Sequence, residues 1–326
     1  MHEGQKHPTI VCLDRNGIPE RIQIPKPAAP HHWVNYKQTA PEDVIKRSID
    51  ADILVVNKIK IDAAILGACP KLRHIVVSAT GYNIIDINAC EKRGVSVSHV
   101  PSYAATTVAE HVIGTAISLR REIPTYAQTV VDGKWQLSDN FCVFDKPFNN
   151  IEGATIGLVG MGEIAKATAK KAHALGLNVL FTSRSKQRHS FARQVDLSQL
   201  LGESDIVSVH CSLNKTTQGM LGKREIALMP KHGILINTAR GGIVDETAAV
   251  DAIRNGTIAG LAFDVMAEEP PRDDAPLLSI ADRTNVIITP HISWASEQAM
   301  QYLANTVSRN VDAYLNGKPI NLVTAD

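Results

Sequence analysis

The sequence predicts an α/β protein of two domains, the larger of which carries a doubly wound parallel sheet. Short apolar runs alternate with helical segments along the chain, and this alternation indicates parallel strands joined by helices. The length of 326 residues suits two domains of ordinary size. A glycine turn joins the apolar run Ile156 to Val159 to a helical segment, as at the start of a doubly wound sheet.

Composition narrows the classes of partner. Hydrophobic residues make up 44% of the chain, charged residues 21%, and the net charge is +1, so we expect no nucleic-acid or membrane partner. The amino terminus lacks the apolar segment of a secretory signal, which predicts a cytoplasmic protein. The five cysteines are scattered and form no metal-binding motif. We therefore expect a small-molecule ligand and no metal.

The first hundred residues predict a small α/β domain on the substrate side. Its predicted strands are Thr9 to Leu13, Ile53 to Val56, His74 to Val77 and Val95 to Ser98. Thr39 to Glu42 has capping-box spacing and predicts the start of a helix. The residues Val77 to Tyr82 (VSATGY) come at the end of the third strand. Their backbone N–H groups could bind a carboxylate, although the same residues also suit a simple tight turn.

Two segments lead into the larger domain. Pro101 to Arg121 predicts one long helix. Glu122 to Asn150 is rich in aromatic residues and is predicted to be irregular. A long loop of this kind is often functional or a subunit contact, but it could also be a surface excursion packed on its own chain.

The pattern G-x-G-x-x-A at Gly160, Gly162 and Ala165 predicts a dinucleotide site in a Rossmann-type sheet. The first glycine makes the tight turn, the second admits a pyrophosphate, and the small alanine lets the helix lie on its strand. We expect the free N–H groups of the first helical turn, at Glu163 and Ile164, to bind the phosphates.

The end of the next strand, Asn178 to Phe181, predicts the choice of cofactor. An acid that would bond the ribose hydroxyl of NAD is missing there, and Ser183, Arg184 and Ser185 follow instead. A guanidinium and two hydroxyls can bind a 2′-phosphate. The sequence thus predicts a preference for NADP(H), with NAD(H) possible if this is an ordinary basic loop.

Polar residues follow the later strands, at the sheet edge where ligands bind in open parallel sheets. Arg240 could hold a carboxylate in a two-point grip, or could form a salt bridge between domains. His291 could donate a proton, with Glu269 stabilising its protonated form. On the sequence alone Glu268 would serve as well, and His291 could be structural. Further candidates on the cofactor side are His210, Thr238, Ala239 and Asp264.

In combination these motifs resemble the D-isomer-specific 2-hydroxyacid dehydrogenases, and within them the glycerate dehydrogenase/hydroxypyruvate reductase group. The resemblance covers nearly the whole chain. It rests on Leu13-Asp14-Arg15, Asn57-Lys58, VSATGYNIID from Val77, VAEH from Val108, GLVGMGEIA, INTARGGIVD from Ile236, FDV from Phe263, Glu269-Pro270 and TPHISWAS.

The resemblance implies site residues by motif. It places the catalytic set on Arg240, Glu269 and His291, and the substrate carboxylate on Arg240 and the backbone of Ala79 to Gly81. It implies that Asp264 lies beside the nicotinamide carboxamide and that Thr107 touches the cofactor phosphates.

The resemblance also implies an architecture and an activity. A Rossmann-type dinucleotide domain (101–292) would be inserted into a flavodoxin-like substrate domain (1–100 and 293–326), and the protein would be a homodimer. The implied reaction is NAD(P)H-dependent reduction of hydroxypyruvate, and of glyoxylate, to the D-2-hydroxy acid, with His291 as general acid. The alternatives are a broader 2-keto acid or glyoxylate reductase and an NAD(P)H-sensing binding protein of corepressor type.

Overall fold

The computed structural model describes residues 7–324 as two compact units. The first unit takes the residues up to Tyr103 and those from Ala295 onward, and the second unit is Ala104–Trp294. The strands are β1 (Thr9–Cys12), β2 (His32–Asn35), β3 (Ile53–Val56), β4 (His74–Val77), β5 (Ser96–Ser98), β6 (Thr155–Val159), β7 (Asn178–Thr182), β8 (Arg193–Gln194), β9 (Ile206–Val209), β10 (Ile234–Asn237), β11 (Gly260–Phe263), β12 (Val286–Ile288) and β13 (Leu322–Val323). The α-helices are α1 (Val44–Ser48), α2 (Ala63–Ala68), α3 (Ile87–Lys92), α4 (Ala105–Arg120), α5 (Ile123–Val131), α6 (Glu163–Ala174), α7 (Leu197–Glu203), α8 (Lys223–Ile226), α9 (Glu246–Arg254) and α10 (Glu297–Leu315).

The first unit is built on a sheet of order β13-β5-β4-β3-β1-β2. Its neighbours pair in parallel except for β13, which is antiparallel to β5. The central strands β3 and β4 are buried along their whole length, as expected of strands covered by helices on both faces. The order of the five parallel strands is that of a flavodoxin-like sheet.

The second unit is built on a seven-stranded sheet of order β12-β11-β10-β9-β6-β7-β8, parallel throughout. The strand order reverses on either side of β6, and ligands bind at such a switch point in doubly wound folds. The predicted α/β class with a Rossmann-type doubly wound sheet is therefore confirmed.

Two local predictions were wrong in part. Thr39 does not cap a helix, because its hydroxyl donates to the Leu13 carbonyl (2.5 Å) and accepts from Arg47 (2.9 Å). Helical structure does start at this segment, as a 3-10 turn at Pro41–Asp43 that runs directly into α1. The segment Glu122 to Asn150 is not irregular throughout, since its first residues form α5 after Glu122 adopts a left-handed conformation (φ 53°).

Within residues 7–324, no helix combines the length and the apolar character needed to cross a bilayer.

In the first unit, His74 on β4 stacks on Tyr314 of α10, with the rings 4.2 Å apart and 5° from parallel. The His74 Nδ1 lies 2.8 Å from the Ser96 hydroxyl. Its Nε2 is buried without a hydrogen-bond partner among the described residues. Burial lowers the pKa of His74 to about 4, so the imidazole is neutral in the folded protein at pH 7.

We predict that this histidine makes the first unit sensitive to acid. The folded-state pKa lies below the unfolded value, so its stabilising contribution is complete above about pH 6.5 and is lost as the pH falls. Between pH 7 and pH 5 the loss attributable to His74 should be about 2 kcal/mol. His74→Phe, which keeps a ring against Tyr314 but cannot titrate, should reduce the pH dependence by that amount in urea unfolding followed by circular dichroism. If the free energy of unfolding fell by the same amount in the unaltered protein and in His74→Phe, His74 would not be the acid-sensitive group.

Candidate active site

The glycine turn between β6 and α6 fits a bound anion. Gly160 has φ 107°, and a Cβ there would come within 3.0 Å of the His210 carbonyl group, so both conformation and space require glycine. Gly162 is the N-cap residue of α6, and a Cβ there would meet no atom within 4 Å. The protein itself does not use this space. The start of α6, at Glu163 and Ile164, carries no side-chain cap, so first-turn N–H groups there remain for a ligand.

The loop after β7 presents a cation beside two hydroxyl groups. The Ser183 hydroxyl donates to the Ser185 carbonyl (2.6 Å), and the Gln194 amide donates to the carbonyls of Ser183 (3.2 Å) and Ser185 (3.0 Å). These bonds fix the shape of the loop. Arg184 is exposed and forms no ion pair within residues 7–324. Its guanidinium is therefore available to an external anion.

The turn after β10 carries Thr238, Ala239 and Arg240. Asn237 shapes it, because its side chain donates to the Arg240 carbonyl (3.0 Å) and accepts from the Ala239 N–H (3.1 Å). The Arg240 guanidinium donates to the Ala239 carbonyl (2.7 Å). The Thr238 hydroxyl is buried and has no hydrogen-bond partner in the part of the chain that the structure describes, which costs free energy unless a ligand satisfies it.

Gly241 brings this turn against the backbone that leads to Glu269. A Cβ at Gly241 would overlap the Met266 carbonyl and the Ala267 nitrogen. Only a glycine allows so close an approach. The turn that carries Arg240 therefore packs directly on the segment that precedes the predicted acid–base pair.

His291 and Glu269 form that pair. The His291 Nδ1 lies 2.6 Å from the Glu269 Oε2, and both side chains are about one-third exposed. The other Glu269 oxygen accepts from the Met266 N–H (3.0 Å). Glu268, which the sequence could not exclude, is instead bonded to Arg272 (2.8 Å). The structure thus selects Glu269 as the partner of the histidine.

The backbone of His291 is held in an unfavourable conformation. Its φ is 55°, and a left-handed non-glycine residue costs about 1–3 kcal/mol unless the surroundings enforce it. The His291 N–H donates to the Asp264 carbonyl (2.9 Å), and its own carbonyl accepts from the Trp294 indole (3.0 Å). These bonds fix the direction of the imidazole.

Asp264 lies after β11 and is 2% exposed. Its carboxylate accepts from the Thr289 hydroxyl (2.6 Å) and from the N–H groups of Ile292 (2.9 Å) and Ser293 (3.0 Å). The His111 Nε2 lies 3.4 Å from the Thr289 hydroxyl. Burial lowers the pKa of His111, and the charge of Asp264 opposes that shift. Sequence reasoning missed the contacts of Thr289 and His111, whose only signal was membership of the TPH and VAEH motifs.

His210 and Thr107 are two further predicted residues of the second unit. Burial lowers the pKa of His210 to about 4, and its Nε2 lies 2.9 Å from the Ser208 hydroxyl, so the ring is neutral at pH 7. Thr107 lies in the first turn of α4 and is half-buried.

Ala79, Thr80 and Gly81 follow β4 in the first unit. The Ala79 carbonyl accepts from the Val100 N–H (3.0 Å), and the Thr80 hydroxyl donates to the Val100 carbonyl (2.9 Å). The three N–H groups at positions 79–81 have no acceptor among residues 7–324. Such a row of free donors suits a carboxylate.

Within the same described range, no cluster of three or more His, Cys, Asp or Glu side chains is arranged to hold a metal ion.

Comparison with known proteins gives one consistent family. Residues 113–293 match the family model described as "D-isomer specific 2-hydroxyacid dehydrogenase, NAD binding domain". The chain is 41% identical to the glycerate dehydrogenase of Methylorubrum extorquens over 97% of this chain and 99% of that protein. It is 35% identical to the hydroxypyruvate reductase of Blautia hydrogenotrophica over 87% of this chain and 88% of that one.

One solved structure is similar to this chain along nearly its whole length. The NADPH-dependent glyoxylate/hydroxypyruvate reductase of Sinorhizobium meliloti, in complex with NADP and malonate, superposes with a TM-score of 0.82 at 25% identity. The match covers 98% of this chain and 97% of that one.

Proposed function

We propose that this chain, which belongs to the D-isomer-specific 2-hydroxyacid dehydrogenase family, reduces hydroxypyruvate, and glyoxylate as well, to the D-2-hydroxy acid with NADPH as the preferred cofactor. The observation that carries the proposal is the 2.6 Å pair of His291 and Glu269 at the end of β12. It stands in a chain whose relatives are named for these reactions. The roles given to individual residues below are part of the proposal.

The proton-transfer step follows from the geometry of that pair. The Glu269 carboxylate occupies the Nδ1 of His291, so the Nε2 is the nitrogen that delivers a proton to the substrate carbonyl oxygen. The negative charge of Glu269 stabilises the imidazolium before transfer. Arg240, positioned by Asn237 and Gly241, polarises the carbonyl and binds the carboxylate of the substrate. In the first unit, the free N–H groups of Ala79, Thr80 and Gly81 are proposed to bind a carboxylate.

The cofactor is assigned to the second unit. When bound, a reduced nicotinamide dinucleotide supplies the hydride. Gly160, Gly162 and the N–H groups of Glu163 and Ile164 would hold its phosphates together with Thr107. The unpartnered hydroxyl of Thr238, with Ala239, His210 and Asp264, would line the remainder of the dinucleotide site. In this assignment residues 101–292 form the dinucleotide-binding domain, and 1–100 with 293–326 form the substrate-binding domain.

The preference for NADPH rests on the loop after β7. Arg184 is exposed and forms no ion pair in the described range, and Ser185 follows it with a second hydroxyl, whereas the Ser183 hydroxyl already donates to the Ser185 carbonyl. A 2′-phosphate would gain charge-assisted hydrogen bonds there, and no carboxylate at that strand end would repel it.

We include a homodimer in the proposal because of an exposed apolar surface in the second unit. Its side chains are Val131, Trp135, Leu137, Phe141 and Phe144, of which Phe141 is 91% exposed and Leu137 85%. Large exposed apolar side chains that gather into a patch are rare on monomers and mark interfaces. A second copy of the chain would cover it.

The acid–base assignment predicts the effect of two substitutions on hydroxypyruvate reduction, measured by NADPH oxidation at 340 nm. His291→Ala should lower kcat by roughly two to four orders of magnitude, the usual scale for a general acid. Glu269→Gln should also lower kcat. The control variant Glu268→Gln, at the neighbouring position, should leave kcat unchanged. Near-normal turnover by His291→Ala would refute its role. Lack of turnover by the unaltered protein with hydroxypyruvate and glyoxylate would refute the proposed activity.

The cofactor assignment predicts that Arg184→Ala raises the KM for NADPH about ten- to a hundredfold, because a hydrogen bond to a charged group is lost. The KM for NADH should not change. Arg224→Ala, an exposed arginine on α8, serves as the control. If the unaltered protein used NADPH and NADH equally, the assignment of a 2′-phosphate site would be refuted. The proposed reductase activity would not be affected by that result.

The dimer assignment predicts a molecular mass in solution twice that of the chain, measured by light scattering. The double variant Phe141→Asp/Phe144→Asp should be monomeric, because charged groups cannot be buried unpaired in an interface. Leu228→Asp, at an exposed position two residues after α8, should remain a dimer. A monomeric unaltered protein would contradict the proposal.

A further inference from the structure

We infer that the hydroxyl group of Thr289 is a positioning group for His291 and acts through the Asp264 carboxylate. This inference rests on the proposed function, because it takes His291 to be the proton donor. Thr289 is the residue that leaves β12, two positions before His291.

The first step is the contact between Thr289 and Asp264. The Thr289 N–H continues the pairing of β12 with β11 by donating to the Phe263 carbonyl (2.9 Å). This bond places the Thr289 hydroxyl 2.6 Å from the Asp264 Oδ1, to which it donates. A buried carboxylate depends on such donors, because it has left its water shell.

The second step leads from Asp264 to the histidine. The same Oδ1 accepts from the N–H of Ile292, and Oδ2 accepts from the N–H of Ser293. These two residues directly follow His291, whose left-handed conformation needs enforcement from outside. Asp264 therefore holds the turn in the shape that points the imidazole toward Glu269.

The third step concerns the proton on Thr289. A threonine hydroxyl has one proton, and it goes to Asp264, so the contact with His111 requires that the His111 Nε2 donate. The His111 Nε2 therefore carries a proton. Both partners of the hydroxyl are protein groups. Its influence on the reaction is therefore indirect, and Asp264 is the partner that bonds to the residues following His291.

The test compares Thr289→Val with Thr289→Ser. Valine has the same shape but no hydroxyl, whereas serine keeps the donor. Thr289→Val should lower kcat for hydroxypyruvate roughly ten- to a hundredfold, the scale expected when a reacting group is displaced by about 1 Å. The KM for hydroxypyruvate should not change, and any rise in the Kd for NADPH, measured by fluorescence titration, should be small beside the fall in kcat. Thr289→Ser should restore most of kcat.

A measurement without substrate tests the positioning itself. In protein labelled with 15N-histidine, the His291 Nδ1 proton bonded to Glu269 should give an NMR signal in the unaltered protein and in Thr289→Ser. In Thr289→Val this signal should shift or broaden.

The outcomes separate the two proposals. If Thr289→Val lowers thermal stability but leaves kcat and the NMR signal unchanged, Thr289 is merely structural and the inference is overturned. A raised Kd for NADPH at unchanged kcat would also overturn it, since the hydroxyl would then serve the cofactor. If the unaltered protein turns over neither acid, the proposed function fails, and the NMR comparison alone still decides the inference.

Discussion

The buried carboxylate of Asp264 is the interaction on which the candidate active site of the second unit depends. Asp264 joins the ends of β11 and β12. Its carboxylate accepts from Thr289, Ile292 and Ser293, and its backbone carbonyl accepts from the His291 N–H. A charge at this depth is tolerable only when donors surround it. The same donors determine the path of the chain through His291. The position of the proposed acid–base pair, His291 and Glu269, thus depends on the donors that satisfy one buried anion.

The sequence predicted elements well where burial dominates. β3 and β4 were predicted to the residue, because strands covered on both faces read as unbroken apolar runs. The edge strand β2 was missed, since its ends are exposed and its HWVN sequence has no such run. The helix α5 was missed because it is separated from α4 by Glu122, which adopts a left-handed conformation. Glutamate rarely adopts that conformation, so the sequence does not predict the break.

Some residues of the candidate site could be predicted from the sequence, and others could not. Residues in local motifs, such as Gly160 and Gly162, could be predicted with a physical role because the role depends on neighbours in sequence. The choice between Glu268 and Glu269 could not, since it depends on which carboxylate faces His291, about twenty residues away. The bond between Thr289 and Asp264 also joins distant positions. Side-chain networks across strand ends are set by packing, which a single sequence does not record.

The pairing of β13 with β5, and the packing of α10 on β4, have a consequence for synthesis. The sheet of the first unit is completed by residues that follow its other strands by more than two hundred positions. The second unit is continuous in sequence and can fold as soon as Trp294 has emerged. On the ribosome the order of folding is therefore reversed relative to the order of translation. The strand β5 remains an unpaired sheet edge until α10 and β13 have been synthesised.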